Sequence, residues 1–127
     1  MFEEKDYILR MIHEIVRTLL KLIFNVDIDK EDVAIDQENA ELYKRLTMMI
    51  DDGDINDAEN ILTDHLDVRN MKKFQLALMF YDYLNKKDTE FLCEHDFSRE
   101  EVSDGLKYVV DLYGYGAIND VFLEDLK

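Results

Sequence analysis

The side chains best suited to metal binding or nucleophilic chemistry in this chain are Cys93 and His95, which are separated by one residue and flanked by acids. A structural zinc site takes four ligands, and a reactive thiolate needs positive surroundings. The other two histidines, His13 and His65, are distant in the sequence and show no ligand spacing. We therefore expect neither a metal site nor a nucleophile here, and we expect a buried or half-buried cysteine instead.

A second pattern that could do chemistry is the acidic stretch over residues 25–37. Carboxylates occupy positions 1, 3, 5, 10 and 12 of a twelve-residue window, which agrees only in part with the ligand positions of a calcium loop: Asp27, Asp29, Glu31, Asp36 and Glu38. The sharp turn of such a loop needs glycine at position 6, where this chain has Asp32. We interpret the stretch as a solvated acidic loop, and binding of a cation by residues 25–37 stays open.

Serine and glycine, which build many catalytic sites, are scarce in this chain. Ser98 fits the N-cap of a helix and Ser103 a helix surface, so a serine nucleophile has no support. The sequence has no glycine-rich loop before a basic residue to hold a phosphate. We expect no enzymatic activity and no cofactor. An enzyme whose site is assembled from distant carboxylates and tyrosines remains an alternative.

The formal net charge is −15, and it lies entirely in residues 25–127, because residues 1–24 contain four basic and four acidic side chains. Such a field repels nucleic acids and anionic membranes, so we expect neither as a partner. The same charge suggests an alternative function, an acidic protein that mimics nucleic acid and inhibits a basic protein.

The N-terminal residues do not have the pattern of a signal peptide. The apolar-rich segment from Tyr7 to Phe24 contains too many charged residues to span a membrane. The single cysteine excludes an intramolecular disulfide framework. We expect a cytoplasmic protein with one helical domain over residues 1–127.

The elements that position these residues are predicted to be helices, because apolar residues recur at helical spacing and proline is absent. Four helices are predicted over Glu4 to Phe24, Glu38 to Asp52, Ile55 to Leu66 and Met71 to Asn85. Asp88 to Cys93 is either a short helical turn or an irregular segment. A further helix runs from the Ser98 cap to Tyr113, and a tail helix from Ile118 to Leu126. This pattern predicts an all-α fold of six or seven antiparallel helices. It comprises a long N-terminal helix (1–24), a helical body (38–113) and a C-terminal tail (114–127).

Two helices are unusually apolar. The helix from Met71 to Asn85 is apolar nearly all round, which predicts the centre of the fold. The N-terminal helix is apolar over a broader face than one domain needs, which predicts self-association through Ile8, Leu9, Ile12, Val16, Leu20 and Ile23. Aromatic residues of the body could line a peptide groove, with Phe80, Tyr83 and Tyr115 as candidates.

Residues 48–62, MMIDDGDINDAENIL, have the pattern of a helical hairpin. Gly53 fits a left-handed C-cap, Asp54 an N-cap, and the small Ala58 a close helix crossing. With Gly53 as the turn glycine, the hairpin resembles one tetratricopeptide repeat. A repeat length later Lys87 replaces the glycine, so the resemblance implies a tetratricopeptide-like stack with one recognisable unit.

The segments DYILRMI, DINDAENIL, ALMFYDYLN, FSREEVSDGL and LYG are similar to those of a family of small uncharacterised bacterial proteins, mostly from Firmicutes. The similarity covers most of residues 6–114 and implies no activity and no catalytic residue. We therefore expect a non-enzymatic interaction or scaffold protein, a homodimer that also binds an unknown protein partner.

Overall fold

The computed structural model describes residues 4–29 and 37–118, and over these ranges the fold is all-helical, as predicted, with no strand. The helices are α1 (Glu4–Phe24), α2 (Gln37–Asp51), α3 (Ile55–His65), α4 (Met71–Asn85), α5 (Thr89–Glu94) and α6 (Arg99–Leu112). The predicted ends agree with these to within one residue. The middle of the acidic loop and the predicted tail helix beyond Ile118 lie outside the described residues.

The centre of the fold is α4, as its all-round apolar sequence predicted. Eleven of its residues are buried, including the polar Asp82 and Asn85. α4 packs against α1, α2 and α6, while α1 also packs on α6 and α2 on α3. Because α4 is surrounded by these helices, its polar side chains must find partners inside the protein.

Contacts at the two ends of α4 set the direction of α1. Near the start of α4, the Phe74 ring stacks on Tyr113 with centroids 4.5 Å apart and meets the edge of Phe24 at 6.3 Å. At the end of α4, the side-chain amide of Asn85 donates to the backbone carbonyl of Leu9 at 2.9 Å. The last residues of α1 therefore face the first residues of α4, and the two helices are antiparallel.

The start of α6 is tied to the end of α4. The Ser98 hydroxyl accepts a hydrogen bond from the Glu101 N–H at 3.2 Å, which confirms the predicted N-cap. The buried Arg99 guanidinium donates to the backbone carbonyls of Asn85 at 2.6 Å and Lys87 at 2.9 Å. α6 is therefore antiparallel to α4 and parallel to α1.

The turn between α2 and α3 is built around Gly53, which has φ +91°. Its N–H donates to the Ile50 carbonyl at 2.9 Å, and the Asp54 N–H donates to the Met49 carbonyl at 2.8 Å, which together form a Schellman motif. A β-carbon here would also collide with the His95 ring. Glycine is therefore favoured for two reasons, the positive φ and the space that His95 occupies. Asp54 occupies the N-cap position of α3, as predicted, but its backbone is not extended and its side chain accepts no capping hydrogen bond.

Candidate functional site

The predicted interface on α1 is only partly accessible. Ile12, Val16 and Leu20 are fully buried, and Ile8 and Ile23 are partly buried against the same core. The prediction is therefore wrong for Ile12, Val16 and Leu20. α1 packs on both α4 and α6, so its broad apolar face is covered within one chain.

Large apolar side chains remain exposed near both ends of α1. Leu22 is 73% exposed and Tyr7 is 44% exposed, and Leu9 of the predicted interface is also exposed. Exposed apolar groups of this kind are common singly, and become informative when they accompany other binding features.

Basic side chains occupy the exposed side of α1 between these apolar groups. Arg10, Arg17 and Lys21 are all exposed. Arg10 lies over the Tyr7 ring at 5.3 Å, and the Arg17 Nε donates to Glu14 Oε2 at 2.7 Å. From Tyr7 onward, α1 carries these three cations and one carboxylate. Arg17 is already paired with Glu14, and Asp27 and Asp29 lie close enough to act on it. α1 is therefore less acidic than the rest of a chain whose net charge is −15, but its cations are partly neutralised.

The three residues of the predicted groove do not form one groove. Phe80 is fully buried, because α4 is surrounded by other helices. Tyr83 is half-buried and donates to Asp51 Oδ1 at 2.7 Å. Tyr115 is exposed, as predicted, and stacks on Phe74 at the opposite end of α4, with centroids 5.6 Å apart.

The contact around Tyr83 links α2 to α4. The Lys87 ammonium donates to the same oxygen of Asp51, at 2.6 Å. The hydrogen bonds from Lys87 and from Tyr83 lower the pKa of Asp51. In return the hydrogen bond to Asp51, with some burial, raises the pKa of Tyr83 to about 12. These groups satisfy one another, which indicates a structural connection.

Sequence reasoning missed a polar cluster between α1, α4 and the residues that follow α1. His13 Nδ1 lies 3.2 Å from Asp82 Oδ1, and its Nε2 lies 3.3 Å from Asp29 Oδ1. The Asp82 side chain is 5% exposed, and its Oδ2 lies 3.4 Å from Lys86 Nζ. The one available signal was Asp82 itself, since a carboxylate in an otherwise apolar helix needs a partner when buried.

An aspartate–histidine pair can act as a general base when its second ring nitrogen faces a substrate. Here that nitrogen faces Asp29, so both nitrogens of His13 have carboxylate neighbours. Within residues 4–29 and 37–118, no group of three or more histidine, cysteine or acidic residues could hold a metal ion. The cluster therefore fastens the residues after α1 to α4.

Cys93 is exposed, so the prediction of a buried or half-buried cysteine is wrong. The short helix α5 turns its neighbour Leu92 to the core instead. His95 Nδ1 lies 2.8 Å from the backbone carbonyl of Phe91, one turn earlier in the chain. The His95 ring packs against the Gly53 turn.

A second buried polar contact joins α3, α4 and α6. The Tyr81 hydroxyl donates to Glu59 Oε2 at 2.7 Å. A β-carbon on Gly105 would lie 2.5 Å from each of these two oxygens, so Gly105 leaves the space they occupy. Burial raises the pKa of Glu59, against the opposing effect of the Tyr81 hydrogen bond. Gly105 therefore marks a close approach of two side chains, from α3 and α4, to the backbone of α6.

The exposed side of α6 combines carboxylates with large apolar groups. Glu100, Asp104, Tyr108 and Leu112 are spaced four residues apart and are all exposed. Residues with this spacing lie next to one another along one side of a helix. We call these four residues the α6 ridge.

Among the described helices, none has the length and apolar character needed to cross a lipid bilayer. No curated protein and no solved structure matches this chain, so the tetratricopeptide-like stacking stays a prediction. Residues 1–114 match the model of a protein family, which agrees with the resemblance of the short segments noted above. The chain therefore belongs to the family of unknown function DUF6483.

Proposed function

We propose that this chain is a non-enzymatic protein–protein interaction protein that self-associates through the exposed side of α1. The observation that carries the proposal is the combination of exposed Leu22, Tyr7 and Leu9 with three basic side chains on one helix. The core already covers the rest of α1, so this side is what the helix offers to a partner.

The contacts of His13, Tyr81 and Ser98 support a role without catalysis. Both ring nitrogens of His13 lie next to carboxylates, and the Tyr81 hydroxyl is bonded to Glu59. Ser98 caps a helix. A general base or nucleophile must be free to reach a substrate, and each of these groups is instead used to hold helices together.

The net charge supports α1 as the surface for self-association. Two copies with a charge of −15 repel each other, so a contact between acidic surfaces is unfavourable. Residues 1–24 carry equal numbers of basic and acidic side chains, so a contact through α1 adds less to this repulsion than a contact between acidic surfaces would.

Light scattering at micromolar concentration tests the proposal. We expect a particle of twice the 15.1 kDa chain mass. The double variant Leu9→Glu with Leu22→Glu should be a monomer. The matched control Met48→Glu with Val68→Glu changes two exposed apolar residues outside α1 and should stay dimeric.

A wild-type protein that is monomeric in this experiment would contradict the proposed self-association. A control variant that loses the dimer as completely as the α1 variant would show that added charge, and not the α1 surface, explains the effect. Substitution of Val16, which the sequence placed in the interface, would disturb the core and is therefore unsuitable for this test.

The alternative predicted from charge, a mimic of nucleic acid, requires carboxylates in an unbroken row. On α6 the row of acids passes from Glu100 and Asp104 to Tyr108 and Leu112, which are apolar or aromatic. A surface of mixed acidic and apolar character is more typical of a protein interface. We therefore propose the interaction function ahead of the mimic.

A further inference from the structure

We infer that His13 is a proton-dependent latch between α4 and the residues that follow α1. With its ring protonated, His13 holds both Asp82 and Asp29. When the ring loses one proton, it keeps Asp82 and releases Asp29. This inference is independent of the proposed self-association and gives the polar cluster a conformational role besides its structural one.

The positions of the two ring nitrogens make both contacts depend on a proton. His13 Nδ1 lies 3.2 Å from Asp82 Oδ1, and His13 Nε2 lies 3.3 Å from Asp29 Oδ1. A ring nitrogen attracts a carboxylate while it carries a hydrogen, and neutral imidazole has a hydrogen on one nitrogen only. Both contacts are therefore favourable together in the imidazolium form alone. The ring is partly exposed, so it can exchange protons with the solvent.

Burial decides which carboxylate the neutral ring keeps. The Asp82 side chain is 5% exposed, whereas that of Asp29 is 51% exposed. Removing the donor from a buried carboxylate is costly, while an exposed carboxylate replaces its partner with water. The single hydrogen of the neutral ring therefore lies on Nδ1, towards Asp82. The lone pair of Nε2 then faces the Asp29 carboxylate, and these two acceptors repel each other.

On the side of α4 and α2, histidine is the group whose charge changes near neutral pH. Lys86 Nζ lies 3.4 Å from Asp82 Oδ2, and lysine ordinarily stays charged up to about pH 10. Burial and the Asp82 carboxylate raise the pKa of Tyr43 on α2 to about 12, so Tyr43 stays neutral. α6 also packs on α1, but among the described residues it gives the His13 ring no hydrogen bond or ion pair. Histidine, in contrast, ordinarily changes its charge between pH 5 and 8.

On the side of α1, a second cation acts on Asp29. Arg17 is paired with Glu14, and the carboxylates of Asp29 and Asp27 attract its guanidinium more weakly. Arginine stays charged at all these pH values, so its attraction for Asp29 is the same before and after His13 loses its proton. Arg17 therefore limits how far Asp29 moves, and the pH dependence comes from His13.

The chain before Asp29 is held independently of the latch. Asn25 ends α1 in the left-handed conformation, with φ 56°, and the Val26 N–H donates to the Leu20 carbonyl at 3.1 Å. Val26 and Ile28 also pack against the core. Loss of the proton therefore frees Asp29, the last described residue before α2, and leaves α1 itself in place.

Nuclear magnetic resonance of the His13 ring tests the first step in the wild-type protein. At pH 5 the ¹⁵N chemical shifts should show a hydrogen on each ring nitrogen. At pH 8 they should show a hydrogen on Nδ1 and none on Nε2. A neutral ring with its hydrogen on Nε2 would overturn the inference, because such a ring would keep Asp29. A ring that stays doubly protonated at pH 8 would overturn it as well.

The order of the Asp29 backbone, measured by ¹⁵N relaxation, tests the release. In the wild type, the order parameter of the Asp29 amide should fall from about 0.85 at pH 5 to about 0.6 or lower at pH 8. His13→Gln removes the titrating ring, so the Asp29 order parameter should be the same at both pH values. The matched control His65→Gln removes a histidine whose Nδ1 lies 2.9 Å from the Ile61 carbonyl of its own helix, and it should respond like the wild type.

A rescue variant separates the latch from a general effect of pH. Asp29→Asn replaces the carboxylate by an amide, whose oxygen can accept from a protonated Nε2 and whose N–H can donate to an unprotonated one. The residue at position 29 should therefore remain about as ordered at pH 8 as at pH 5 in this variant.

The measurements decide the inference even if one variant does not fold. Far-UV circular dichroism establishes folding, and if His13→Gln is unfolded, the ring measurement and Asp29→Asn take its place. An Asp29 order parameter that is equal at pH 5 and pH 8 in the wild type would overturn the latch. A fall of the same size in folded His13→Gln, or in Asp29→Asn, would overturn it too. These readouts do not depend on the mass of the protein in solution, so the proposed self-association stands or fails separately.

Discussion

Replacing Gly105 with alanine should destabilise this protein, although the same change stabilises an unhindered helix. Gly105 lies inside α6, where glycine costs about 1 kcal/mol relative to alanine. The structure explains why glycine is nevertheless suited to this position. The Tyr81 hydroxyl and the Glu59 carboxylate occupy the space that a side chain on α6 would fill.

The size of the effect follows from the contacts. An alanine β-carbon would lie 2.5 Å from the Tyr81 hydroxyl and from Glu59 Oε2, and 2.7 Å from Tyr81 Cε1. Relaxed non-bonded contacts are about 3.5 Å or longer, so these groups must move by roughly 1 Å. Tyr81 is buried and cannot move freely.

Overpacking of this kind costs about 1–3 kcal/mol, and loss of a hydrogen bond to a charged group costs about 1.5–3 kcal/mol. After the gain of about 1 kcal/mol in helix propensity, we expect a net loss of about 1.5–5 kcal/mol in the free energy of unfolding. For a domain of this size, that corresponds to a fall in Tm of about 6–20 °C.

Urea unfolding followed by far-UV circular dichroism measures this loss directly. The same substitution in a Tyr81→Phe with Glu59→Ala background should cost at least about 1 kcal/mol less, because both oxygen contacts are removed. If Gly105→Ala instead stabilises the wild type by about 1 kcal/mol, the reasoning from close approach is refuted.

Three further predictions concern the buried and linked polar groups. Burial raises the pKa of Glu59, so the folded protein holds the Glu59 proton more tightly than the unfolded chain does. The free energy of unfolding should therefore fall as pH rises above 4.5. In urea unfolding measured across this pH range, Glu59→Gln should show a smaller fall. The hydrogen bonds from Lys87 and Tyr83 lower the pKa of Asp51, so the protein should lose stability as pH falls through and below 3.8. In acid unfolding, Asp51→Asn should lack this pH-dependent loss of stability. Arg99→Met removes a buried guanidinium that binds two backbone carbonyls and should cost about 3 kcal/mol in urea unfolding, whereas an unchanged midpoint would contradict the structural role of Arg99.

The helices of this protein could be predicted from its sequence because each helical pattern depends only on residues close together in the chain. The Ser98 cap, the left-handed Gly53 and the periodic apolar residues each act within a few positions of the chain. The central place of α4 also follows from sequence, since a helix that is apolar all round must be covered on every side.

The polar contacts between helices could not be read in the same way. His13 and Asp82 are 69 residues apart, and their meeting depends on the antiparallel packing of α1 on α4. Tyr81 and Glu59 belong to different helices and are 22 residues apart, so their contact likewise depends on how the helices pack.

The candidate interface could not be predicted correctly from the sequence for the same reason. A broad apolar helix could be covered by a second copy or by a second helix of its own chain, and sequence periodicity does not distinguish these cases. In the structure α1 packs on both α4 and α6 of its own chain, and Ile12 and Val16 are fully buried. The exposed residues of α1 are Leu22, Tyr7 and basic side chains, and this combination can be recognised only when the packing is known.

The mass of the protein in solution, measured by light scattering for the wild type and for Leu9→Glu with Leu22→Glu, tests the proposed self-association most directly. We predict twice the chain mass of 15.1 kDa for the wild type, and the single chain mass for the variant. A wild-type protein that remains at 15.1 kDa throughout the micromolar range, or a variant that keeps the doubled mass, would contradict self-association through the exposed side of α1.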